Sequence, residues 1–105
     1  MRKALGTGPA DDNPQILYEI GECLEAEGSL TEAQAEYLKI PELYPESTFW
    51  AIRADLSAAK ILERLGRTKD ALGLYEKLAA LDVEESKYAK ERIGIIKDKT
   101  SNTRL

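Results

Sequence analysis

From Leu17 to Ile96, apolar and small side chains recur at intervals of three and four residues, with charged residues between them. This is the period of helices buried along one face, and no stretch alternates strictly as a half-buried strand would. Capping and breaking residues divide the pattern into five segments. Asn13 is placed to cap the first helix, with Pro14 at the first helical position, where no N–H is needed. Leu17, Ile20, Gly21 and Leu24 form its apolar stripe, and Gly28 ends it in a left-handed conformation. Ser29 with Glu32 has the spacing of a capping box for the second helix, whose inner face continues through Ala33, Tyr37, Ile40 and Tyr44. Pro41 removes a backbone hydrogen bond and crowds the Tyr37 carbonyl, so this helix is expected to loosen and fade by Tyr44, with Pro45 completing the stop.

Ser47 or Thr48 then caps a third helix through about Leu65, with Trp50, Ala54, Ala58 and Leu62 inside. Thr68 caps a fourth, facing Ala71, Leu74, Tyr75, Leu78 and Leu81 inward. Asp82 and Glu85 have capping-box spacing and open a fifth helix over about 83–97, carrying Tyr88, Ala89, Arg92, Ile93 and Ile96. The expectation is an all-α domain over 13–97, preceded by a flexible segment over 1–12 and followed by a polar, fraying tail over 98–105.

Two stretches align without a gap: "LEAEGSLTEAQAEYLKI" (24–40) and "LERLGRTKDALGLYEKL" (62–78). Leu24/Leu62, Glu25/Glu63, Gly28/Gly66, Ala33/Ala71, Tyr37/Tyr75 and Lys39/Lys77 are identical pairs. Upstream, Gly21 coincides with Ala59. Each copy therefore predicts a helix hairpin, the two spanning about 14–47 and 48–82. Short antiparallel helices approach closely where small side chains meet, which predicts Gly21 against Ala33 and Ala59 against Ala71. The tyrosines are expected to fill the wider gap toward the next hairpin.

This pattern resembles the tetratricopeptide repeat, a 34-residue helix–turn–helix unit. Residues 14–47 carry its small residues at Gly21 and Ala33, its aromatic at Tyr37 and its closing proline at Pro45. The second copy departs from it: Val83 replaces the closing proline, and Asp55 stands where a large apolar side chain is common. The extra turn that "ESTFW" supplies is similar to bacterial envelope repeat proteins, such as the periplasmic partner of the Tol system and the lipoprotein of the outer-membrane β-barrel assembly machine. The resemblance implies hairpins stacked in a short right-handed superhelix, closed by a C-terminal capping helix. It also implies a non-catalytic module that binds a peptide or partner protein in a concave groove lined by the first helix of each hairpin. Carried over residue by residue, the groove has Gln15, Tyr18, Glu19, Glu22 and Glu25 on one wall, and Arg53, Leu56, Lys60, Glu63 and Arg64 on the other. Repeat domains that clamp chaperone tails carry lysine and asparagine where Tyr18, Glu22 and Ser57 stand, so that ligand is not implied. The alternative role is structural: a segment of a larger repeat protein, or a self-associating unit. Trp50, on the extra turn, is expected either to pack over the seam that Pro41 weakens or to anchor a partner.

Composition narrows the chemistry. The 105 residues include one cysteine and no histidine, so the usual zinc sites and a base-activated thiol are excluded; no metal or cofactor is expected, and no enzyme. Cys23 sits in a helical pattern and is expected to be a small buried side chain. The carboxylates of Glu19, Glu22 and Glu25 are expected to be solvated. "GTGPADD" lacks the Gly-Lys-Ser/Thr of a phosphate loop. Lysine and arginine number three against ten acidic residues in 1–50, and twelve against nine in 51–105. The chain is thus dipolar, which suits head-to-tail stacking. Net charge of −4 and acidic residues interrupting the basic run Lys87, Lys90, Arg92, Lys97 and Lys99 argue against nucleic acid. No run spans a membrane. A complete chain is expected in the cytoplasm; a piece of a secreted protein, in the periplasm or envelope.

Overall fold

The computed structural model describes residues 13–103, with side chains over 13–99; the segment 1–12, expected to be flexible, lies outside the described residues. Among the described residues five α-helices follow one another: α1 Pro14–Ala26, α2 Leu30–Leu43, α3 Thr48–Arg64, α4 Thr68–Ala79 and α5 Glu84–Thr103. Neighbours in sequence pack as antiparallel hairpins. In addition α1 touches α3 and α3 touches α5. The result is an all-α repeat stack in which α1, α3 and α5 share one layer and α2 and α4 the other.

Local sequence sets the boundaries. Asn13 Oδ1 accepts from the Gln15 N–H at 2.9 Å, and Pro14 opens α1. Gly28 and Gly66 end α1 and α3 with φ of +86° and +81°, which a side chain would strain. The α2 helix carries Pro41 inside it and stops at Leu43, as its broken ladder requires. With 17 residues against 13 in α1, α3 holds the extra turn.

The α3 helix is the spine of the core. Its Ala54, Ala58 and Ile61 meet Tyr18, Ala33, Tyr37 and Ile40 on the first-hairpin side. Its Ile52, Ala59 and Leu62 meet Ala71, Tyr75, Leu78, Ala89 and Ile96 on the other. Two apolar stripes on one helix explain how so short a stack closes: α3 is buried on two flanks, whereas each outer helix needs one.

Several expectations are corrected. Ile20 and Leu81 are exposed, because the closely packed stripes of α1 and α4 run through Tyr18–Gly21 and Ala71–Tyr75–Leu78. Cys23 is exposed on the outer side of α1. Ser29 and Ser47 stand at the N-cap positions of α2 and α3 without a side-chain cap bond, so the Ser29–Glu32 box is not made. Arg67, not Thr68, is the N-cap residue of α4. Asp82 adopts φ of 58° in the turn and leaves capping to Ser86. Ser86 Oγ accepts from the Val83 N–H at 2.9 Å and donates to the Leu78 carbonyl at 2.7 Å, joining the end of α4 to the start of α5. A proline at 83 could not make the first of these bonds. With no glycine or proline after Gly94, α5 continues past Lys97 to Thr103.

The small-residue contacts also differ in detail. A Cβ on Gly21 would lie 2.6 Å from the Tyr37 ring, so this glycine admits the tyrosine rather than only Ala33. Tyr37 and Tyr75 turn their hydroxyls back into their own hairpins instead of toward the next, donating to Glu25 at 3.0 Å and to Glu63 at 2.7 Å.

Candidate binding groove

The face of the α1–α3–α5 layer is built mainly by α3. Arg53, Leu56, Lys60 and Arg64 follow one another at three- and four-residue steps and so lie along one side of the helix. The extra turn brings Phe49 and Trp50 to the start of that stripe.

An aromatic cluster occupies the α1–α3 seam. Tyr18 is almost fully buried; its ring lies 5.0 Å from that of Tyr37 and 5.5 Å from that of Trp50. The Tyr18 and Ser57 hydroxyls are 2.7 Å apart. Phe49, 61% exposed, meets Trp50 edge-on at 5.1 Å. The Arg53 guanidinium lies over the rings of Tyr18, Phe49 and Trp50 at 5.5, 5.3 and 5.9 Å. Tyr18, expected as a groove contact, is thus a core residue. Trp50 packs against Tyr18 and Phe49; the cleft beside Pro41 is lined instead by Ala51, Ile52 and Asp55.

Between α3 and α5 an open cleft of about 410 Å³ is lined by Lys60, Glu63, Arg64, Tyr88 and Arg92. The Lys60 ammonium lies 4.8 Å from the centre of the Tyr88 ring. Glu63 forms the floor. Its Oε1 accepts from Tyr75 and from Arg92 Nε at 3.1 Å, and its Oε2 accepts from a second Arg92 N–H. Burial opposes its ionisation, but the bonds from Arg92 and Tyr75 outweigh that and hold its carboxyl below the usual carboxylate value. Arg92 is held above its ordinary value, chiefly by its bond to Glu63. Burial, and then the bond to glutamate, raise the phenols of Tyr37 and Tyr75. With both oxygens committed, Glu63 fastens helices and is not free for proton transfer.

The α1 wall is polar. Gln15 donates to Glu19 at 3.2 Å, and Glu22 is exposed. Glu25 accepts from Tyr37 and, at 3.3 Å, from Arg64. Of the sequence-derived groove residues, Arg53 and Trp50 meet on Tyr18, and Lys60 and Arg64 share the cleft. Leu56 packs half-buried at the edge of the core between them. Gln15 and Glu22 lie on the opposite wall. Sequence reasoning left Phe49, Tyr88 and Arg92 out of this face, although they stand beside Arg53 and Lys60. Phe49 was legible from its four-residue spacing to Arg53, and the role of Arg92 from "KERIG" (90–94), which repeats the "LERLG" (62–66) of α3.

Among the described residues no group of histidine, cysteine and carboxylate side chains is placed to hold a metal ion, and no helix is long and apolar enough to cross a membrane. Residues 15–47 match the tetratricopeptide repeat family model, which covers α1 and α2 with the loops that flank α2. No curated protein and no solved structure matches the chain.

Proposed function

On the premise that residues 15–47 form a tetratricopeptide repeat, a unit that generally mediates protein–protein interaction, we propose that the chain is a non-catalytic module holding a peptide or partner protein on its α1–α3–α5 face. The observation that carries this reading is the juxtaposition of Phe49, Trp50 and Arg53 with the cleft at Lys60 and Tyr88. The exposed Phe49 ring with half-buried Trp50 beside it, the cations of α3, and Tyr88 of α5 across the cleft offer an apolar anchor and directional contacts together. The α2–α4 side has an open cleft of about 440 Å³, lined in part by Leu38, Arg67, Asp70 and Leu74. There Arg67 is tied to Asp70 at 2.8 Å and no aromatic ring is among the lining residues.

The test is independent of ligand charge. Peptides are selected from a random display library against the folded chain, and a benzophenone side chain is introduced at Glu22, Arg64, Lys69 or Gly73. Cross-linking from the first two positions is expected. Cross-linking only from the latter pair, on α4, would contradict the reading.

A second role is favoured by a separate observation. Ile16, Ile20 and Cys23 form an exposed apolar stripe on the outer side of α1, the place where a further repeat or a second copy would stack. Sedimentation over a dilution series tests it: a mass that stays monomeric at all concentrations removes self-association.

A further inference from the structure

We propose that the ligand of the groove is an acidic peptide segment, with one carboxylate seated by Arg53 and a second by Lys60. This rests on the groove reading above and adds the chemistry of the ligand. Its warrant is the way the cations of this molecule are held. Arg64, Arg92, Lys77 and Lys97 are each paired with a carboxylate, on Glu25, Glu63, Asp55 and Glu76. Arg53 and Lys60 are held on aromatic rings instead. A ring positions a cation without cancelling its charge, so the N–H donors on the uncovered side remain available to an anion. Both side chains are therefore oriented in advance, and among the described residues neither has a carboxylate within ion-pair distance.

Spacing defines the ligand further. Lys60 follows Arg53 by seven positions, nearly two full turns, so both lie on one side of α3 about 10 Å apart. In a polyproline II segment, glutamates three residues apart point to the same side about 9 Å apart. That conformation is also the one aromatic-lined grooves receive at low entropic cost. A continuous polyanion such as single-stranded nucleic acid fits less well, because Glu19 and Glu22 stand exposed on the α1 wall.

The full chain is titrated with a fluorescein-labelled peptide, Gly-Glu-Pro-Leu-Glu-Gly, its glutamine counterpart, and a single-stranded oligonucleotide. Anisotropy gives the affinities, and the single tryptophan, Trp50, reports events beside Arg53. The glutamate peptide is expected to bind about tenfold or more tightly than the glutamine peptide and to shift Trp50 emission. Arg53→Gln and Lys60→Gln are each expected to weaken it about tenfold while leaving the helical circular-dichroism signal unchanged. Equal affinity for the two peptides, affinity retained in the double variant, or preference for the oligonucleotide would overturn the proposal. Indifference to the glutamate peptide, with display-selected peptides still cross-linking at positions 22 and 64, would sink the acidic ligand and leave the groove standing. Cross-links confined to α4 would sink the groove itself.

Discussion

The hydroxyl of Tyr75 donates to Glu63 at 2.7 Å, and Glu63 in turn is held by Arg92 of the next helix in its layer. The first hairpin repeats the arrangement: Tyr37 donates to Glu25, and Arg64 of α3 reaches Glu25. A tyrosine and a glutamate thus close each hairpin, and an arginine fastens it to the following one. Tyr75→Phe should cost about 1 kcal/mol and Arg92→Met about 1.5–3 kcal/mol. Because both act on one carboxylate, the double variant should depart from additivity by at least about 0.5 kcal/mol. Additive losses in urea unfolding would show that the three side chains do not work as a unit.

Gly21 is a point of close approach in the first hairpin. Its missing Cβ leaves room for the Tyr37 ring, 2.6 Å from where that atom would sit. Tyr37 is buried and cannot swing away, so Gly21→Ala should cost about 1–3 kcal/mol through overpacking. Gly73, in the middle of α4, has nothing within 4 Å of its would-be Cβ. Gly73→Ala should therefore stabilise by about 0.5–1 kcal/mol. Thermal melts of the two variants should move in opposite directions.

Asp55 is buried, with Oδ2 3.0 Å from Lys77 Nζ and Oδ1 without a hydrogen-bond partner among the described residues. Its pairing is therefore a poor return for a desolvated carboxylate. Asp55→Leu should be neutral or stabilising, by up to a few kcal/mol. Lys77→Met, which leaves the carboxylate alone, should destabilise by about 1–3 kcal/mol. Chemical denaturation of both variants checks the sign, and a large loss in Asp55→Leu would contradict this account.

The same fasteners set the pH limits of the fold. Glu63 has a folded value lowered from the ordinary 4.5, so its stabilisation is present above 4.5 and lost as pH falls through the lowered folded value. Tyr37 and Tyr75 are raised above the ordinary 10.0, so their contribution is complete below 10.0 and declines as pH rises beyond it, where the unfolded phenols ionise first. Unfolding free energy should be flattest between these limits. Tyr75→Phe should soften the alkaline decline, and an unchanged alkaline limb in that variant would rule out the assignment.

Helix order and repeat spacing were legible because backbone-dictating residues announce them. Gly28 and Gly66 must take positive φ, Pro14 can only open a helix, and Ala33 and Ala71 leave room for close helices. What spacing could not give was the width of each buried stripe, and so Ile20 and Leu81 were placed inside although both are exposed. Capping was misread at Ser29 and Asp82 because the same side chains serve turns, and Ser86 supplies the bond at the last junction. Resemblance puts Tyr18 on the open face with the α3 stripe, whereas its ring is almost fully buried. The extra turn brings Trp50 over its ring and Ser57 meets its hydroxyl, a tertiary outcome that no local pattern encodes.

The central claim is that ligands bind on the α1–α3–α5 face. Amide chemical-shift mapping with a display-selected peptide tests it most directly. The account predicts the largest shifts at Phe49, Trp50, Arg53, Leu56, Lys60 and Tyr88, with Trp50 indole among them. Shifts concentrated at Gln34, Leu38, Lys69 and Gly73, across the stack, would contradict it.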